Sequence, residues 1–133
     1  MRPFEGIKVI DLTDVLAGPF AAYQLAVLGA DVIKIENPED CDQSRNTGSN
    51  KALNRSDMGT SYLAQGSNKR CITLNLKKPK AREILKAMVK DADVLIENYR
   101  AGAFEALGLG YRDMQKINPQ LIYCSMTAFG QNG

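Results

Sequence analysis

Residues 6–36 read G-I-K-V-I-D-L-T-D-V-L-A-G-P-F-A-A-Y-Q-L-A-V-L-G-A-D-V-I-K-I-E, and this stretch decides the fold. Gly6 to Leu12 alternates like a strand and turns apolar at its end. Asp11 to Ala17 forms the turn that follows. Gly18-Pro19 then opens a helix, because a first-turn N–H has no partner and proline gives it up at no cost. Phe20, Ala21, Leu25 and Leu28 supply an apolar side, and Gly29 ends the helix. Asp31 to Glu36 is a second strand, closed by Asn37-Pro38. Strand, helix and strand in this order make a βαβ unit with a right-handed crossover.

The remaining chain repeats the alternation. Residues 37–61 are rich in Asn, Asp, Ser, Thr and Gly and read as a long loop. Tyr62 to Gln65 reads as a short helical turn and Arg70 to Leu76 as a third strand. Pro79 begins a helix whose Ala81, Ile84, Leu85, Met88 and Val89 share one face. Asp93 to Asn98 is a fourth strand. Ala103 to Leu107 and Tyr111 to Ile117 are short helices, and Gln120 to Met126 is a fifth strand. The predicted class is α/β, a mostly parallel sheet with helices on both faces, in one domain over 1–133. The last strand runs into a glycine turn with no covering helix. The expectation is therefore an incomplete C-terminal side, a piece of a longer protein, and apolar surface that self-associates.

At 133 residues the chain can bury a real core, and 44% hydrophobic with 24% charged residues excludes disorder and collagen-like repeats. The longest uncharged apolar stretch, residues 15–30, is too short and too polar for a bilayer span. Met1-Arg2-Pro3-Phe4-Glu5 lacks the order of a secretory signal, so none is expected. Cys41, Cys71 and Cys124 are odd in number, without a C-x-x-C, and the chain has no histidine. That argues against a zinc site and against a Ser-His or Cys-His nucleophile, and it fits free thiols in a cytoplasmic protein. The net charge of +2 hides a pattern: residues 1–42 carry −5, residues 43–90 carry +9 and residues 91–133 carry −2. A basic middle segment suggests a polyanionic ligand or, equally, solvated lysines. Aromatics are not interleaved with these cations, which disfavours nucleic acid.

Open α/β sheets bind ligands at the carboxyl ends of their strands. A dinucleotide binder would carry G-x-G-x-x-G in the first turn, but D-L-T-D-V-L-A-G-P-F has only Gly18, which argues against a nicotinamide dehydrogenase. Six ordered blocks instead carry a family resemblance. They are D-L-T-D-V-L-A-G-P-F (11–20), L-G-A-D-V-I-K-I-E (28–36), S-N-K-R-C-I-T-L-N-L-K (67–77), A-D-V-L-I-E-N-Y-R (92–100), L-G-L-G-Y (107–111) and N-P-Q-L-I-Y-C-S-M-T-A-F-G-Q-N-G (118–133). Together they resemble the N-terminal portion of the class III CoA-transferases, a group that includes formyl-CoA and carnitine CoA-transferases and the related α-methylacyl-CoA racemases.

The resemblance implies a Rossmann-like domain that binds coenzyme A as acyl-CoA, a carboxylic acid as acceptor, an interlocked homodimer, and no metal. It implies covalent catalysis by an aspartate that would lie beyond Gly133, so no residue of this chain takes that catalytic role. Matched position by position, the CoA contacts would be Leu16, Ala17, Asn37, Leu74, Lys77, Asn98, Tyr99 and Arg100. Asn37 and Ala106 stand where the family often has arginine, which leaves phosphate contact to other cations: Arg45, Lys69, Arg70 and Lys77, with Arg70 joining the expected CoA site. Asn98 fits either a ligand-side or a turn-capping role, and Tyr99 either a contact or a packed aromatic. A racemase relative and a non-catalytic CoA-binding module are the alternatives.

Overall fold

The computed structural model describes residues 1–132. Its elements are β1 (Lys8–Leu12), α1 (Ala17–Val27), β2 (Asp31–Glu36), a 3-10 turn (Gln43–Asn46), α2 (Lys51–Arg55), α3 (Thr60–Gly66), β3 (Lys69–Thr73), α4 (Pro79–Val89), β4 (Val94–Glu97), α5 (Ala103–Ala106), α6 (Tyr111–Ile117) and β5 (Ile122–Ser125). The five strands are all parallel in the order β3-β2-β1-β4-β5. β1 is central because Val9, Ile10 and Leu12 are buried on alternating faces. Ile10, Leu12, Ile35 and Leu95 join Leu85, Val89, Phe104 and Met114 beneath α4, α5 and α6. On the opposite face, Val9, Val32 and Ile96 meet Ala22 and Ala26 of α1. The expected α/β class with helices on both faces is what the chain adopts.

The details correct three expectations. Residues 37–61 are not one loop: they hold the 3-10 turn, α2 and the start of α3. Asn50 caps α2, its side-chain oxygen accepting from the amides of Ala52 and Leu53 at 3.0 and 3.2 Å. Helix α1 does not bury the predicted apolar side. Phe20 and Leu28 are exposed, and the buried positions are Gly18, Pro19, Ala22 and Ala26. Small residues let the helix lie close against the sheet. A Cβ on Gly18 would come within 2.4 Å of the Thr13 side chain, so this turn admits only glycine there. Gly29 ends the helix at φ +112°, a left-handed conformation that glycine adopts without strain. Finally, Ile84 of α4 does not join the buried face of that helix but is exposed, whereas β5 is an edge strand with Ile122 64% exposed, in line with the expected uncovered apolar surface.

This packing has a direct test. Ala22→Leu puts extra methylenes into a position with no exposure and should cost roughly 1–3 kcal/mol. Phe20→Ser, on the outer face, should stay within about 0.5 kcal/mol of the parent. Urea denaturation midpoints measure both, and a neutral Ala22→Leu would show that α1 is not seated as described.

Candidate functional site

The order of strands reverses between β1 and β4, and a ligand crevice forms outside the carboxyl ends at such a point. The turn from β1 into α1 stands there, and side chains hold its backbone. The amide of Thr13 donates to Asp11 Oδ1 at 3.1 Å. The Thr13 carbonyl accepts from Lys34 Nζ. The amide of Asp14 donates to Asn98 Oδ1 at 3.0 Å, and Asn98 Nδ2 donates to the Asp14 carbonyl at 2.9 Å. The amide of Val15 donates to Asp42 Oδ1 at 3.1 Å. Val15 takes φ +75°, which for a β-branched residue costs about 1–3 kcal/mol and persists only where surroundings enforce it. The result is that Leu16 stands 64% exposed at the mouth, next to exposed Ala17. No side chain caps the first turn of α1.

Beneath this turn lies a layer of buried charge. Lys69 Nζ sits 2.8 Å from Asp11 Oδ2, with both side chains almost fully buried. Lys34 Nζ sits 2.9 Å from Asp42 Oδ2, equally buried. Arg45 grips Glu36 through Nε at 2.8 Å and Nη2 at 2.7 Å, and stacks 3.8 Å from the centre of the Tyr62 ring. Tyr62 and Cys71 also donate to Glu36 Oε1, each at 3.2 Å. Burial works to raise the Glu36 pKa, but the bonds from Arg45, Cys71 and the Asp42 amide outweigh it and hold it at about 2. Burial pushes the Asp14 carboxyl up to about 6, with Lys34 pulling the other way.

These pairs correct the charge argument. Arg45, Lys69 and Arg70 are not spare cations for phosphate: each already faces a carboxylate of the acidic first segment. Three cations of the +9 segment thus answer carboxylates of the −5 segment, two of them on buried carboxylates and the Arg70–Asp31 pair at the surface. Arg70 also stands at the wrong end. It pairs with Asp31, Nη2 to Oδ2 at 2.6 Å, at the start of β2, and lines a cavity of about 340 Å³ on the amino side of the sheet with Lys8 and Met88. Glu36, at the end of β2, is taken up by Arg45.

The other expected residues lie on the carboxyl edge. Leu16 borders a cavity of about 370 Å³ with Val15, Gln43, Ser44, Thr47 and Ser61. Asn98, Tyr99 and Arg100 border one of about 420 Å³ with the segment after β5. Both volumes fall in the ~300–1,000 Å³ range of small-molecule sites. The two readings of Asn98 resolve toward the turn, since both ends of its amide bind the Asp14 backbone. Tyr99 packs its ring 4.8 Å from that of Phe104, and burial raises its phenol to about 12. Asn37 follows β2 and folds back through a bridge to Asp40. Leu74 follows β3 and packs against the main core, while Lys77 is exposed ahead of α4.

The family model for CoA-transferase family III matches residues 4–133. The chain belongs to that family. The human succinyl-CoA:glutarate CoA-transferase is 46% identical over 133 residues, covering all of this chain and 30% of the relative. The formyl-CoA:oxalate CoA-transferase of Escherichia coli is 38% identical, covering 97% of this chain and 30% of the relative. A crystal structure of a CAIB/BAIF family protein from Brucella suis superposes with a TM-score of 0.88 at 39% identity, over 99% of this chain and 35% of that one. This family III chain thus spans about 30% of the length of those two curated relatives. Among its described residues no helix is long and apolar enough to cross a membrane.

Sequence reasoning passed over Asp11, Lys34 and Asp42, yet a signal for Lys34 exists. Val32, Lys34 and Glu36 alternate on one face of an otherwise apolar strand, so a buried first position implies buried charges at the next two. The Glu36–Arg45 pair of this family III chain also predicts acid sensitivity. A carboxylate whose pKa falls on folding stabilises above its unfolded value near 4.5, and that contribution is lost as pH drops toward 2. The difference corresponds to about 3 kcal/mol. Glu36→Gln should lower stability at pH 7 and flatten its decline between pH 5 and pH 2.5, measured by denaturant titration at each pH. Parallel declines in parent and variant would contradict the pairing.

Proposed function

We propose that residues 1–133 are the CoA-binding N-terminal domain of an enzyme that moves CoA between carboxylic acids. The observation that carries this is the match along the whole chain to transferases whose acids differ while CoA is common to all. What such relatives share in this region is then the means of holding CoA. Leu16 and Ala17 flank the thioester end at the uncapped N-terminus of α1, where the helix dipole favours developing negative charge. Asn37, Leu74 and Lys77 hold the nucleotide end, and Tyr99 and Arg100 close the other side, with Asn98 bracing the turn. In this reading an aspartate beyond Gly133 attacks the acyl-CoA carbonyl and releases CoA thiolate, leaving an acyl anhydride. The thiolate attacks the aspartyl carbonyl, gives an enzyme–CoA thioester and frees the donor acid. The acceptor acid then reverses both steps. The enzyme works in the cytoplasm as a homodimer, a reading supported by the free cysteines and by exposed Phe20 and Val27 of α1 with Leu28 just beyond it.

Calorimetry with CoA and dephospho-CoA tests the site. Lys77→Ala should weaken CoA by about tenfold and erase any preference over dephospho-CoA, as expected for one charge-assisted phosphate contact. Arg70→Ala and Lys90→Ala should bind CoA like the parent. A loss with Arg70→Ala, or none with Lys77→Ala, would move the nucleotide elsewhere. Incubation of the chain with acyl-CoA should leave no acyl or CoA adduct on Asp11 or Asp14 by mass spectrometry; such an adduct would overturn the assignment of the nucleophile.

A further inference from the structure

Five backbone groups between Thr13 and Val15 are bound by side chains that come from four separate places in the chain. Two of those side chains, Lys34 and Asp42, are about 2% exposed, line neither cavity of the carboxyl edge, and pair with each other at 2.9 Å. Asp42 Oδ1 accepts from the amide of Val15 at 3.1 Å and from the amide of Ser44 at 2.9 Å. One carboxylate oxygen therefore ties the β1–α1 turn to the 3-10 turn. Val15, Leu16, Gln43 and Ser44 face each other across the cavity of about 370 Å³. Lys34 fixes the other end of the same turn through the Thr13 carbonyl. A buried ion pair is a poor way to gain stability, since apolar residues of like volume often serve as well or better. This one spends its hydrogen bonds on the backbone that carries Leu16.

We propose that Lys34 and Asp42 are positioning residues for acyl-CoA: they hold the strained turn at Val15 and the width of the adjoining cavity, and so place Leu16 and Ala17 against the ligand without touching it. The proposal rests on the CoA reading above. It assigns the pair a role that its burial alone does not require.

Two double variants test it. Lys34→Met with Asp42→Asn removes both charges but keeps an acceptor for the Val15 amide. Lys34→Met with Asp42→Leu removes the acceptor too, and neither leaves a buried charge unpaired. Misplacing a contact by about 1 Å can cost on the order of a hundredfold in rate, so the Leu version should bind CoA at least about tenfold more weakly than the parent. The Asn version should recover part of that loss. Hydrogen exchange should quicken at the Val15 amide of the Leu version while the amides of Ile10 and Ile33 stay protected, which general destabilisation would not produce. Folded double variants that bind CoA like the parent overturn the proposal and leave the CoA reading intact. A parent that binds no CoA overturns the CoA reading and the proposal with it. If neither variant folds, the parent decides: a Val15 amide protected as well as that of Ile10 supports the clamp, and one that exchanges freely refutes it.

Discussion

The β1–α1 turn and the 3-10 turn beside it depend on the buried ion pair between Lys34 and Asp42. Lys34 occupies an inward position of β2 where an apolar residue would satisfy the sheet, so its ammonium has to be neutralised and bonded or the strand could not be buried. Asp42 supplies the charge, the Thr13 carbonyl supplies a further acceptor, and both come from loops beyond the strand ends. Removing one member of such a pair commonly costs about 3–5 kcal/mol, because the other is left stranded. The loops therefore cannot relax away from the sheet without stranding a charge. Asp11–Lys69 and Glu36–Arg45 repeat the device on either side, and together they anchor α1, the 3-10 turn and α3 to the same edge.

This arrangement also explains the uneven distribution of charge. A segment of −5 beside one of +9 resembles an electrostatic footprint for an external polyanion. Part of it is instead internal pairing: Lys69 of β3 reaches Asp11 of β1 two strands away, Arg70 meets Asp31 of the neighbouring β2, and Arg45 of the 3-10 turn meets Glu36. The other eight cations of that segment have no carboxylate partner among the described residues, and Lys77, Lys78 and Lys80 cluster on the surface where α4 begins.

The sequence was most legible where breakers flank an apolar run. β2 and α6 begin and end where Gly, Asn and Pro place them, and the alternation of strands and helices was enough for the sheet class. Residues 37–61 were opaque because their helices are short and mostly exposed, so they show no apolar period; the Asp42 and Asn50 caps are the local signs. Side-chain bulk does not mark the buried face of α1. Close approach to a sheet selects Ala22 and Ala26, and pushes Phe20 outward. The bonds that hold the β1–α1 turn were not legible. Position in the chain reveals that Asp11 and Lys69 are charged, but only the three-dimensional register reveals that they meet. Arg70 illustrates the limit: one residue along the strand turns it to the opposite face, toward Asp31.

Asn98 holds the Asp14 backbone across 84 residues of sequence. On a ribosome adding about 5–20 residues per second, Asp14 is made roughly 4–17 s before its partner. Lys69, which neutralises Asp11, follows by 58 residues. Through that interval the turn has Asp11, Lys34 and Asp42 as its only side-chain partners, and both polar groups of the Asp14 backbone are left to water. The β1–α1 corner thus completes its set of bonds late in synthesis, although it is encoded among the first residues. Its geometry is a product of completed tertiary structure, and a nascent chain halted before β4 would carry the motif without the site.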